Sequence, residues 1–212
     1  SNRTNTTMEK TQEWVPSKAG FHGYCVWVRP NPDAEISPHL FEVMNKFTHR
    51  FPPLVMPTWQ PHLCLAAGIQ EEGAARELAK QLSEETKPFT VWLNGAEVDG
   101  ELDHERATIY FSWQRLRAGW IGARGDEPAD GEGDDALVAL CRRARHRLGE
   151  KTVTVKFAPH LSLVYFDEDE LNSEQRKILQ EELQAVFKHG SKFTVDSIHV
   201  ARTEGTPDEY QM

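Results

Sequence analysis

The chain writes nearly one word twice: Pro61-His62-Leu63-Cys64-Leu65 and Pro159-His160-Leu161-Ser162-Leu163. Each sets a histidine in an apolar run, with a small polar side chain two positions later. Side chains alternate between the faces of a β-strand, so positions i and i+2 point the same way. Each segment therefore offers a histidine and its polar neighbour on one face and two leucines on the other. Two such strands brought together supply two imidazoles to one site. That layout suits chemistry in which one group takes a proton and another gives one.

The surroundings of the two words repeat as well. The first is followed by a helical pattern and then Lys87-Pro88-Phe89-Thr90-Val91; the second is followed by a helical pattern and then Ser191-Lys192-Phe193-Thr194-Val195. A single His-x-Ser is ordinarily a hydrogen-bonded core histidine. Two copies in matching order point instead to a duplicated unit whose halves pack with their histidine strands adjacent.

Outward from these strands, Tyr24 to Val28 reads as a buried strand stopped by Arg29-Pro30-Asn31-Pro32. Ser37-Pro38 has the form of an N-cap followed by proline at the first helical position. Leu40, Val43, Met44, Phe47 and Phe51 then recur at helical spacing. A second helix is expected over 73–85, striped by Ala75, Leu78, Ala79 and Leu82, and strands over 89–98 and 106–113. Residues 122–135 are rich in glycine and acid without apolar periodicity and read as a mobile surface loop. Leu137, Leu140, Cys141, Ala144 and Leu148 mark a third helix, with Arg142, Arg143, Arg145, His146 and Arg147 expected on its solvated faces. A strand over 153–157 leads to the second histidine strand. Asn172-Ser173-Glu174-Gln175 is a capping box opening a helix with Ile178, Leu179, Leu183, Val186 and Phe187 inward. The chain ends in an extended segment over 192–201. Residues 1–20 and 205–212 are expected to be tails, the first disordered or a tag remnant, around one domain over 21–204.

Bulk properties narrow the field. The 212 residues, 39% hydrophobic and 27% charged, describe an ordinary globular chain with enough length for a full core. No apolar run approaches the ~20 residues of a spanning helix, and no signal-like segment opens the chain. Cys25, Cys64 and Cys141 have no metal-ligand spacing, and reduced thiols in the cytoplasm are the expectation. The net charge of −9 argues against an extended nucleic-acid surface, though not against one nucleotide in a local basic pocket.

Histidine fits paired proton transfer because a single site holds one neutral and one protonated ring near neutral pH. The hydroxyl of Ser162 can hold a phosphoryl oxygen. No metal is implied, because His62 with Cys64 is half a zinc site with no second cluster to complete it. Trp27, Trp59, Tyr110 and Trp113 are candidates for stacking on a base.

These motifs carry a resemblance. Val26-Trp27-Val28-Arg29-Pro30 and Pro159-His160-Leu161-Ser162-Leu163-Val164-Tyr165, with the first histidine word, resemble the two-histidine (2H) phosphoesterase superfamily, whose hallmark is one His-x-(Ser/Thr) motif per lobe. The likeness is nearest to the eukaryotic cyclic phosphodiesterase branch and runs from Tyr24 to Thr203. It implies an α+β, bilobal, duplicated fold: two antiparallel-sheet lobes with outer helices around a central cleft. It implies a metal-independent, cofactor-free hydrolase opening ADP-ribose 1″,2″-cyclic phosphate or nucleoside 2′,3′-cyclic phosphates, the latter to the 2′-phosphate. The implied partner is a small cyclic nucleotide, met by a monomer with no membrane attachment. His62 and His160 match the catalytic histidines, Cys64 and Ser162 the phosphate-holding positions, and Tyr165 a position lining the pocket. The departure is Cys64, where the family usually has Thr or Ser and a thiol is a weaker donor. Backbone amides sharing the load, a slower or oxidation-sensitive enzyme, and an altered residue all remain open. Processing of RNA ends or 2′,5′-linked oligonucleotides, and a non-catalytic nucleotide-binding module weakened by Cys64, are the alternatives.

Overall fold

Alternation of apolar residues builds the sheet, and helical spacing builds the layer that covers it. The computed structural model describes residues 23–50, 61–98, 116–128, 133–149, 159–167, 170–185 and 192–203. In chain order the elements are β1 (Tyr24–Val28), α1 (Ile36–Arg50), β2 (Leu63–Ile69), α2 (Glu72–Glu85), β3 (Phe89–Val98), β4 (Leu116–Gly125), α3 (Ala136–Arg147), β5 (His160–Asp167), α4 (Ser173–Ala185), β6 (Lys192–Val195) and β7 (His199–Arg202). The strands form one curled sheet in the order β6-β3-β4-β5-β2-β1-β7, with every neighbouring pair antiparallel. The two lobes expected from the duplication are the halves of this sheet, and they meet where β5 pairs with β2 through Leu63↔Leu161.

The repeated words face each other across that sheet. Leu63 opposes Leu161 at the centre, and at one edge Phe89, Thr90 and Val91 oppose Val195, Thr194 and Phe193. Both copies of Phe-Thr-Val thus pair with one another about a local two-fold axis. The leucine face carries Val26, Val28, Leu63, Leu65, Ile121, Leu161 and Leu163, packed with Leu40, Met44 and Phe47 of α1, Leu82 of α2, Leu140 of α3 and Leu179 of α4. Each such burial contributes about 1.5–3 kcal/mol, so the leucines of the two words anchor the centre of the sheet. The other face holds a smaller cluster of Cys25, Trp27 and Ala201, with Cys64 and Ala67 packed against it.

Several local readings change. Residues 122–125 are not loop but the end of β4, pairing Gly122 with His160 on one side and Gly125 with Val91 on the other. Glycines hide the strand from any alternation test, yet one is required: a Cβ on Gly125 would lie 2.3 Å from the backbone nitrogen of Leu137. Residues 129–132 of that expected loop lie outside the described residues, and Asp126 and Asp135 on either side of them are structural. Asp135 caps α3, its Oδ1 accepting from the amides of Leu137, Val138 and Gly125 at 2.9, 3.0 and 2.8 Å. Asp126 accepts from the Thr90 amide at 2.7 Å. Helix α1 begins at Ile36, and the Ser37 hydroxyl donates to the Asn31 carbonyl at 2.8 Å, so Ser37 lies in the first turn and is not the cap. Arg145, expected in solvent, is 5% exposed, because packing of α3 on β2 and β4 covers that face. The capping box at α4 forms as expected, with reciprocal Asn172–Gln175 bonds of 2.9 Å. The expected strands over 106–113 and 153–157, the two tails, Phe51, Val186, Phe187, Trp59, Tyr110 and Trp113 lie outside the described residues.

Candidate active site

The register at the centre of the sheet decides what the two histidine words present together. β2 and β5 meet at Leu63↔Leu161, and that antiparallel register carried one residue to either side brings His62 toward Ser162 and Cys64 toward His160. Cross-strand partners share a face, and so do residues two apart on one strand. All four side chains therefore belong to the face opposite the leucines. The arrangement is crossed, each histidine lying beside the small polar side chain of the other word. The two histidines are diagonal neighbours, roughly 7–8 Å apart at their backbones.

Neighbouring residues fix the two rings differently. His62 is 6% exposed and stacks on the indole of Trp27, with ring centroids 3.8 Å apart and planes inclined by 23°. Trp27 is itself only 1% exposed, so its face serves His62 and not a ligand base. His160, partly exposed, opens β5 opposite Gly122. Ser162 is buried and sits opposite Trp120 in β4. Tyr165 lies in β5 opposite Ala118, and its side chain is not among those described.

Cys64 is partly buried on β2, opposite Trp27 of β1. Its thiol shares a hydrogen bond with Cys25, and that contact first, then burial, pushes its pKa well up. Cys64 is therefore the protonated thiol of the pair near neutral pH, its hydrogen directed to Cys25. Behind it, the Cys25 sulfur lies 3.3 Å from Thr203 Oγ1, which donates to the Gly23 carbonyl at 3.0 Å.

Two groups on this face were not singled out by sequence. His199 of β7 pairs in register with Trp27, and Arg29 follows Trp27 by two residues. The signal that would have found Arg29 is the Cys25-Trp27-Arg29 alternation; nothing local marks His199. Among the described residues no group of three His, Cys, Asp or Glu side chains is placed to hold a metal ion, and no helix is long and apolar enough to cross a membrane.

A curled antiparallel sheet, helices on its leucine face and two histidine strands meeting at its centre define the class: an α+β protein of the two-histidine phosphoesterase fold. The chain belongs to the 2′-5′ RNA ligase superfamily, whose family model matches residues 21–207. Members of this family are phosphoesterases acting on nucleotide phosphodiester bonds. A protein of Thermus thermophilus is 15% identical, with a TM-score of 0.53 over 88% of this chain and 98% of its own. A conserved protein of unknown function from Agrobacterium tumefaciens is 13% identical, with a TM-score of 0.58 over 91% of this chain and 84% of its own. Apo LigT of Escherichia coli is 17% identical over 92% of this chain and 98% of its own, at a TM-score of 0.47. The first two, at these identities, express a likeness of fold. No curated protein matches the sequence.

Proposed function

We propose that this chain is a metal-independent cyclic phosphodiesterase of the eukaryotic branch it resembles. It opens nucleoside 2′,3′-cyclic phosphates, ADP-ribose 1″,2″-cyclic phosphate, or both. The crossed register that groups His62, Cys64, His160 and Ser162 on one face carries the reading. One imidazole, neutral, takes a proton from water as its oxygen bonds to phosphorus. The other, protonated, gives its proton to the ribose oxygen as the P–O bond breaks, leaving a phosphomonoester. Each transfer is worth about 10²–10⁴-fold in rate. Ser162 donates to a phosphoryl oxygen, and the Cys64 thiol, once its hydrogen turns from Cys25, donates more weakly to another. Tyr165 lines the pocket. The protein works as a cytoplasmic monomer on a small nucleotide, within one domain spanning 21–204.

The test is hydrolysis of 2′,3′-cyclic AMP and ADP-ribose 1″,2″-cyclic phosphate in EDTA, with products separated by chromatography. His62→Ala and His160→Ala should each lose at least about 100-fold in kcat/KM, and the wild-type pH profile should be bell-shaped. Cys64→Thr should raise turnover at least about tenfold by restoring a hydroxyl donor. Folded wild-type protein that binds nucleotide without turnover, with turnover restored by Cys64→Thr, would replace the enzyme with a binding module weakened by Cys64. Activity that rises steeply with oligonucleotide length would move the substrate to RNA ends.

A further inference from the structure

The site face continues past Trp27 to the edge of the sheet. Strands β1 and β7 pair Trp27 with His199, and the same register carried two residues further sets Arg29 opposite Ser197. Alternation along β7 confirms the face. Ile198 and Val200 pack against the main core, whereas Ala201 joins the Cys25 and Trp27 cluster on the opposite side. His199 therefore lies on the same face as Trp27, and Trp27 in turn stacks on His62. From β2 to β7 is two strand spacings, about 10 Å.

A short hydrogen-bond chain orients the ring. Ser197 Oγ lies 3.0 Å from Asp196 Oδ1 and 3.0 Å from His199 Nε2. A carboxylate only accepts, so the single hydroxyl hydrogen goes to Asp196 and Nε2–H donates to Ser197. Nδ1 is left as the atom that gains or loses a proton. Arg29, partly buried, supplies a permanent charge beside it. Burial first and the Arg29 guanidinium second push the His199 pKa down, while Asp196 pulls it up. An anion lying against both groups would favour the protonated His199 ring beside the Arg29 guanidinium.

We propose that Arg29 and His199 form a subsite for a second phosphate of the substrate, one sugar away from the phosphate that reacts beside His62. The inference rests on the reading of the histidine pair as a nucleotide site and deepens it. The favoured substrates are nucleotides carrying two phosphate groups, with the guanidinium fork gripping the remote one. Nucleotides with only the reacting phosphate leave this corner to water.

Calorimetric titration with adenosine 3′-monophosphate and adenosine 3′,5′-bisphosphate tests it, using wild type, Arg29→Gln, Arg29→Lys and His199→Gln, with melting curves for each. Wild type should prefer the bisphosphate by roughly 10- to 100-fold, the worth of a charge-assisted contact. Arg29→Gln should bring that ratio close to one, His199→Gln should reduce it, and Arg29→Lys should retain part of it. Equal affinity of the two ligands in wild type, or a preference that survives both Gln variants, overturns the subsite. Turnover assays separate the two failures. A bisphosphate preference lost in Arg29→Gln without any cyclic phosphate hydrolysis leaves the subsite standing and removes the catalysis. Hydrolysis without the preference does the reverse.

Discussion

His199 has a consequence for stability that is separate from any ligand. Its folded-state pKa lies below the ordinary histidine value of 6.5, from burial first and Arg29 second. Below that value the unfolded chain binds more protons than the folded one, so folding loses stability as pH falls through 6.5 toward the lowered pKa. Above 6.5 both states carry a neutral ring and the contribution vanishes. His199→Gln should therefore flatten the melting temperature against pH on the acid side and leave it little changed above neutrality. Thermal melts from pH 5 to 8 decide this, and identical acid slopes in both proteins would refute it. His62, Cys64, His160 and Ser162 were legible at this scale because period-two alternation groups each pair without tertiary information. Arg29 beside His199 was not, because β1 and β7 come from opposite ends of the chain and meet only in the sheet.

The capping box of α4 was read well, whereas Ser37, read as the cap of α1, lies inside its first turn, and elements shaped by close approach were missed. Helix α4 declared itself through Asn172 and Gln175, whose reciprocal bonds need no tertiary partner. Strand β4 ends in Gly-Ala-Arg-Gly, which carries no alternation, and was read as loop from Gly122 onward. Gly125 lacks a side chain because the start of α3 passes directly over it, with Leu137 N, Ala136 N and Asp135 Oδ1 all within 3.0 Å of a hypothetical Cβ. Gly125→Ala should thus force the strand and helix apart and cost about 1–3 kcal/mol, the usual penalty of overpacking. Urea unfolding measures it directly, and an unchanged midpoint would mean the helix start yields freely. Arg145 was misassigned for a related reason: a run of arginines gives no sign of which member the neighbouring strands will cover.

At the scale of the molecule, the chain crosses between the two halves of its sheet. After α2 it leaves β2 to form β3 beside β4 and β6; after β6 it returns to place β7 against β1 at the opposite edge. The Thr203 amide, 2.8 Å from the Gly23 carbonyl, ties that return to the first strand. The halves meet through Leu63↔Leu161, so the seam that holds the fold also sets the histidines. Leu161, fully buried there, should cost about 2–5 kcal/mol when changed to Ala. Under the proposed mechanism, turnover should also fall in protein that remains folded. Full activity in a destabilised Leu161→Ala protein would uncouple the seam from the site.

Alternation and repetition are local properties of the chain, and they were enough to establish the α+β class, the paired histidine strands, the leucine core behind them and the duplication. The crossed register that sets each histidine against the other word's small side chain came from folding alone. So did the self-pairing of the two Phe-Thr-Val segments and the meeting of Arg29 with His199. Register between distant strands is fixed by which leucines share the core and by how the chain crosses over, and neither is written in any single stretch.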